Sequence, residues 1–485
     1  MESKIFRATR WSVVSEIIAK IISPITTMLL ARVLSQEVFG IVASITVVTS
    51  MADMLTDAGF NAYILQHQFA SKEEERKTID VCFWSNAGLS VFLYFIIVVF
   101  SSQFAAFVGA PGYSSALIVA SLVLPLTSFS SVSITVLRKR MDFKRVGIIR
   151  VVSKALPLVV TLPLALLGIG YWALIIGMLA GEAVNAILGL TLGGYVPRAF
   201  YRFSILKSVL GFSSWTFAET ILEWLLANIA IMAVSKIFGL TYSGVFKTSI
   251  TIVTQITASV YALYSNVYKA SMSLAQNDEV EFERLFRTFQ KYASMLMLPL
   301  GIGVLLMRDF VVYILLGSNW DNAATLVGLW GLASSLSVGF GAFYSDAIRA
   351  KGLPKFLVII DSIYLAFLLG LLAFANTMSF YSFSIWYCLL KLIQPVLQMI
   401  YGQKICHVRI TEVIKTCRPQ IFASLIMAIP IILANTVFNF PYTAVIGNFV
   451  LVALCVLIYG ICLFLFTPDK AAAKRWLGEM VKRKR

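Results

Sequence analysis

The chain has 485 residues, 59% of them hydrophobic and only 13% charged, with a net charge of +16 at pH 7 and a mean hydropathy of +0.85. A soluble protein of this size could not solvate so much apolar surface, so the composition excludes that class and points to an integral membrane protein. Transmembrane β-barrels are excluded too, because their strands alternate polar and apolar residues whereas these apolar runs are continuous.

A helix needs about 20 apolar residues to cross the hydrocarbon. The sequence predicts fourteen such spans, at 12–32, 40–62, 80–100, 115–137, 147–167, 171–193, 209–235, 243–268, 290–313, 323–347, 356–375, 380–401, 419–438 and 443–466. The expected fold is therefore all-α and polytopic, with both termini on one side. The loops on the side of the termini carry 33 Lys and Arg, while the opposite loops hold only Arg32, Lys236, Lys247 and Arg308. The positive-inside rule makes the termini cytoplasmic. The net charge then reflects orientation in an anionic leaflet and gives no argument for nucleic acid. Met1–Arg10 is basic, but a full-length span follows it without a small-residue cleavage site, so it does not read as a signal peptide.

A charge in hydrocarbon costs several kcal/mol unless it is paired or faces water, so each ion within a span marks a candidate site. In the first span Glu16 and Lys20 stand one turn apart, in the Glu-before-Lys order that favours an ion pair, and Pro24 follows. A proline there frees a backbone carbonyl and bends the helix. Asp53 and Asp57 in the second span and Glu219 and Glu223 in the seventh are carboxylate pairs at the same spacing. Like charges one turn apart raise the affinity for a proton or cation, so these pairs are candidates for ion coupling. Asp57, before Gly59, also reads as a helix-end residue. Lys154, Glu182, Asp346, Asp361 and Lys391 complete the set. Spread over eight helices, these ions fit the wall of a large wet cavity better than one local site.

The six cysteines form no CxxC pair and the two histidines have no metal-ligand partners in sequence, so no metal or cofactor is expected. Two amphipathic stretches, NDEVEFERLFRTFQKY (277–292) with its Leu285, Phe286 and Phe289 stripe and the basic tail 467–485, are expected to lie on the inner membrane surface.

The first six helices look like a copy of the next six. Trp11 and Trp215 open the two halves; ARVLSQEVFGIVAS (31–44) sets against SKIFGLTYSGVFKTS (235–249), matching Arg32 with Lys236 and Gly40 with Gly244. Further on, VGAPGY (108–113) sets against LGSNWD (316–321), and LRKRMDFK (137–144) against IRAKGLPK (348–355). Six helices per copy makes this a parallel repeat, a transporter architecture. The expected organisation is an N-terminal lobe (1–200), a C-terminal lobe (201–405), two added helices (406–466) and the tail. The loops opposite the termini are short, no phosphate-binding GxxxxGK[ST] occurs and no cytoplasmic domain could hold an acidic metal site, so an enzyme is the weaker expectation.

Four stretches in the first half, LLARVLSQEVFGIVA (29–43), TDAGFNAYILQ (56–66), LRKRMDFKRV (137–146) and ALLGIGYWALIIG (165–177), resemble the polysaccharide transporter (Wzx-type oligosaccharide flippase) family, within the multidrug/oligosaccharidyl-lipid/polysaccharide exporter superfamily. The seventh span departs from that pattern, with Asn228 and then SKIFG where relatives often carry an aspartate. The resemblance implies a bacterial inner-membrane flippase for undecaprenyl-diphosphate-linked oligosaccharide, serving O-antigen, capsule or exopolysaccharide. It would meet membrane lipids, a polysaccharide polymerase and a chain-length regulator. A sugar–diphosphate head cannot enter hydrocarbon without losing its water. Lys20, Lys154 and Lys391, with Arg32 and Lys269 near the ends of the spans, are cations suited to the phosphates; Glu16, Asp53, Glu219 and Glu223 are cavity or ion-coupling carboxylates. Trp215, Trp224, Tyr261, Tyr264 and Tyr268 are candidates to stack on sugars, though interfacial belts and packing explain most such rings. A cation-coupled drug exporter of the same superfamily and a membrane-embedded glycan polymerase or ligase are the alternative readings.

Overall fold

The computed structural model describes residues 2–57 and 59–466, with side chains except those of 2–10, 12–14, 17, 57 and 210–218. The amphipathic tail and the side chains of Asp57 and Trp215 lie outside the described residues. Among the described residues every element is helical, and twelve helices are long and apolar enough to cross a membrane. The count of fourteen was approximate at two places. The first span, 12–32, falls in the helix Glu2–Ala31, where the side chains of 12–14 and 17 lie outside the described residues and the described apolar stretch is Ile18–Ala31. The eighth falls in the 35-residue helix Leu240–Leu274, where Thr, Ser, Gln and Tyr side chains interrupt the apolar run.

Two compact units form, one of Met1–Thr248 with Leu372–Phe380, the other of Ser249–Leu371 with Tyr381–Arg485. They follow packing; the lobes read from the repeat, and the added pair 406–466, stand as a proposal about how the sequence is organised. In the first unit the helix Phe143–Leu166, which contains Pro157 and Pro163, lies against both Glu2–Ala31 and Tyr171–Leu192. Val123–Lys139 packs between Lys72–Val99 and Tyr171–Leu192.

Gln36–Asp57 and the start of Leu240–Leu274 cross within this unit at Gly40 and Gly244. A Cβ on Gly40 would lie 3.0 Å from the Gly244 nitrogen and run into the Leu240 carbonyl; one on Gly244 would lie 2.8 Å from the Gly40 nitrogen and run into the Gln36 carbonyl. Small residues let membrane helices approach this closely. Positions 36 and 40 correspond to 240 and 244 in the repeat, so the contact is reciprocal, as a two-fold relation requires. Beside it, the Ser44 and Ser235 hydroxyls are 2.7 Å apart. Met141 and Gly352, aligned in the two basic turns, both take positive φ, 57° and 73°.

In the second unit Glu279–Leu306 packs against Ala324–Leu336 and Ile410–Thr436, and the latter against Val445–Phe466. The span expected at 323–347 is a broken helix: a 3-10 turn Ser318–Ala323, an α-helix Ala324–Leu336, a π turn Ser337–Gly341 and a last helix Ala342–Ala350. The stretch 277–292 does not lie on the membrane surface by itself. It opens the continuous helix Glu279–Leu306, and Phe286, with Leu285 and Phe289 beside it, packs into a core with Tyr268, Phe343 and Tyr344. Its apolar stripe finds protein to bury against, which removes the need for a lipid face.

Candidate functional site

In the first unit, five helices turn polar side chains toward one cavity of about 270 Å³. Asp53 and Thr56 come from Gln36–Asp57, Asn61 from the short helix Phe60–Gln66, Asn86 from Lys72–Val99 and Asn185 from Tyr171–Leu192; Val123–Lys139 contributes Thr127, Ser130, Ser131, Thr135 and Arg138. Hydrogen bonds hold the lining in place. Thr127 donates to Asp53 Oδ1 at 2.8 Å. Asn61 donates to Ser131 at 2.7 Å and accepts from Thr135 at 2.6 Å. Asn185 donates to Glu182 Oε2 at 3.1 Å and to Ser130 at 3.4 Å. A carboxylate and a guanidinium thus line one polar cavity inside helices otherwise made for lipid, where an ion is costly unless it is paired or faces water. Of these residues only Asp53 was named from the sequence as a site. The others left one signal: Thr127, Ser131, Thr135 and Arg138 fall on one helical face at spacings of four, four and three.

The other predicted residues of this unit are placed as follows. Lys20 Nζ meets Glu16 Oε1 at 3.0 Å, the within-helix ion pair that their spacing allows. Lys154 is exposed on the neighbouring helix, and Arg32 is exposed just past the end of Glu2–Ala31. Glu219 is half-buried and Glu223 exposed on Phe203–Phe238. On the same helix the Trp224 indole donates to Ser50 Oγ at 3.0 Å, and Asn228 donates to the Trp224 carbonyl at 3.0 Å. Trp224 is thereby tied to another helix of its own unit.

In the second unit the predicted cations Lys391 and Lys269 lie near carboxylates. Lys391 Nζ donates to Gln394 Oε1 at 2.7 Å, and Gln394 Nε2 donates to Asp361 Oδ1 at 2.8 Å, so an amide relays the charge between them. The ammonium also lies 5.9 Å from the Trp330 ring centroid and 5.6 Å from that of Tyr364, within cation–π range. Lys269 Nζ is 3.7 Å from Asp346 Oδ1 and 5.7 Å from the Tyr261 ring centroid, and Tyr261 donates its hydroxyl to Asp346 Oδ2. Tyr268 is fully buried and donates to the Phe343 carbonyl at 2.9 Å, and Tyr264 stacks on Phe343 at 5.5 Å. These two rings belong to the core.

Comparison with known proteins places this architecture. A family profile described as "Polysaccharide biosynthesis protein" matches residues 29–325. The succinoglycan biosynthesis transport protein ExoT of Rhizobium meliloti (strain 1021) is 24% identical over 330 residues, 68% of this chain and 66% of that one. The match thus spans about two thirds of that relative's length. The lipopolysaccharide biosynthesis protein WzxC of Escherichia coli (strain K12) is 21% identical over 365 residues, 73% of each chain. Among solved structures, lipid II flippase MurJ in an inward closed conformation superposes with a TM-score of 0.75 at 13% identity, covering 95% of this chain and 99% of that one. An inward-facing multidrug resistance MATE family transporter gives 0.63 at 16%, covering 82% of this chain and 96% of that one. At these identities the likeness shows the fold, which the chain shares with both.

Proposed function

Because this chain belongs to the polysaccharide biosynthesis protein family, we propose that it is a flippase carrying undecaprenyl-diphosphate-linked oligosaccharide repeat units from the cytoplasmic to the outer leaflet of the bacterial inner membrane. Relatives named as a succinoglycan transport protein and a lipopolysaccharide biosynthesis protein, and a fold shared with a lipid II flippase, support this reading. The observation that carries it is the polar cavity of the first unit. A drug-sized hydrophobic cation would favour aromatic and apolar walls, whereas amides, hydroxyls, a carboxylate and a guanidinium match the hydroxyls and anionic charge of a saccharide diphosphate.

The chemistry asked of the chain is solvation, with no bond made or broken, so no residue is assigned a catalytic role. As the head group moves, each water it loses is replaced by a side-chain donor or acceptor. Arg138, at the end of its helix next to a basic loop, would meet the phosphates first. Lys20 and Lys154 follow on Glu2–Ala31 and Phe143–Leu166. Lys269 and Lys391 are already engaged with Asp346 and with Asp361 through Gln394, so phosphate must compete for them or leave them as scaffold. Asp53, Glu219 and Glu223 are the carboxylates through which a proton or sodium gradient would drive alternation. A polysaccharide polymerase and a chain-length regulator would act on the delivered units.

Cells deleted for this protein test the reading. Lipid-linked oligosaccharides are assigned to a leaflet with a membrane-impermeant sugar-modifying reagent on spheroplasts. Completed units out of the reagent's reach, with surface polymer lost, are the expected result. Units within reach but not lengthened would replace the flippase by a polymerase or ligase; unchanged glycan with altered sensitivity to cationic compounds would replace it by a drug exporter.

A further inference from the structure

The second unit contains a larger cavity, about 580 Å³, at the end of its spans opposite the basic loops. Its floor is a break in the chain: Glu279–Leu306 ends, Met307 leaves helical geometry, and Arg308–Leu315 begins. Its other wall is the loop between Ile410–Thr436 and Val445–Phe466. Arg308, Asp309, Asn435, Asn439, Phe440 and Tyr442 line it.

The loop is built to hold a shape. Asn448, 4% exposed, donates to three of its carbonyls, Pro441 at 3.0 Å, Tyr442 at 3.3 Å and Ala444 at 3.0 Å. Asn435 donates to the Leu306 carbonyl at 3.0 Å, joining the wall to the floor. Asn439 takes positive φ, 43°, a conformation its short polar side chain tolerates. The Phe440 ring sits where a side chain at position 447 would be, so any residue larger than glycine there would displace the ring. The Tyr442 ring stands edge-on to Tyr313 at 5.9 Å. Arg308 and Asp309 make a loose pair at 3.8 Å with both side chains partly exposed, leaving donors and acceptors free to turn to a ligand.

Interfacial aromatics usually face lipid. Here they share a concave, preorganised wall with amides and an ion pair, within the ~300–1,000 Å³ range of small-molecule sites. Rings offer flat apolar faces; amides, guanidinium and carboxylate offer hydroxyl partners in both directions. That combination fits a pyranose, with its apolar C–H face and hydroxyl rim. The geometry points to a saccharide-binding subsite between the Met307 break and the loop that joins Ile410–Thr436 to Val445–Phe466, one that holds the oligosaccharide head on the outer face after translocation. This rests on the flippase reading above and adds a second, product-side site to it.

Accessibility of the pocket rim tests the inference. Thr443, exposed beside Tyr442, is replaced by Cys in the full-length chain, whose native cysteines are buried apart from half-buried Cys462. Spheroplasts unable to assemble lipid-linked oligosaccharide are treated with a membrane-impermeant maleimide, with and without the free repeat-unit oligosaccharide released from the surface polysaccharide. Labelling from outside, slowed several-fold by the oligosaccharide, is expected. Adding Asp309→Ala should raise the half-protecting concentration by about tenfold, as for loss of a charged hydrogen-bond partner, and Asn439→Gly, which keeps the backbone at ease, should raise it less. Absence of labelling from outside, absence of protection, or protection unmoved by both variants overturns the subsite. The leaflet assay is scored separately: protection lost with translocation intact sinks the subsite alone, and protection present with glycan unchanged in the deletion sinks the flippase reading alone.

Discussion

Glu16 and Lys20 are 38% and 33% exposed and one turn apart, so their ion pair adds no more than about 0.5 kcal/mol to the fold. Lys20→Ala should therefore leave the unfolding temperature of the detergent-purified protein unchanged while lowering surface glycan; export at the wild-type rate would remove Lys20 from the substrate path. In the polar cavity the expectation is sharper. Asp53→Ala and Arg138→Ala should each lower export by about tenfold, the worth of one charge-assisted contact, and Thr127→Val by less, because it removes only the hydroxyl that steadies Asp53. Lys391 differs again. Lys391→Met removes the cation that Gln394 links to Asp361 and should cost about 1–3 kcal/mol, read as a fall of several degrees in thermal unfolding, and Asp361→Leu added to it should restore part of the loss. The charged members of these sites were legible because an ion in a span is costly wherever it stands. The neutral members were not: Ser128 and Ser133 on the same helix only bond back to the Pro125 and Phe129 carbonyls, and nothing in residue type separates them from cavity-facing Ser130 and Ser131.

At the scale of elements, long apolar runs located the spans because the bilayer sets a minimum length and little else satisfies it. What failed was continuity. Sequence treated 277–292 and 290–313 as a surface helix and a span, but the Phe282 and Phe286 side chains bury against the second unit's aromatic core, so one helix runs through to Leu306 and the break moves to Met307. The π turn at Ser337–Gly341 left no trace in hydropathy, since an extra residue in a turn alters hydrogen bonding and not composition. Glycine, by contrast, was informative: the alignment of Gly40 with Gly244 became a crossing of two backbones. Gly40→Ala and Gly244→Ala should each destabilise the purified protein by about 1–3 kcal/mol through overpacking. Together they should cost less than the sum, because either methyl already forces the same helices apart. Additive losses in thermal unfolding would mean that the two glycines do not share one contact.

For the molecule as a whole, the 33 cations on the loops of one side are the strongest orientation signal in the chain. Reporter fusions check it: alkaline phosphatase should be active when joined within 437–444 and inactive after residue 466, and the opposite pattern would reverse every statement about inner and outer face. Fold class followed from composition, and the family from short stretches in the first half, yet the two compact units do not break where the repeat does, because packing carries the start of Leu240–Leu274 into the first unit. Residues 36 and 40 touch 244 and 240 in return, the reciprocity that an isologous contact has. Each glycine is held by the other's helix: a side chain at 40 collides with the Leu240 carbonyl, and one at 244 with the Gln36 carbonyl.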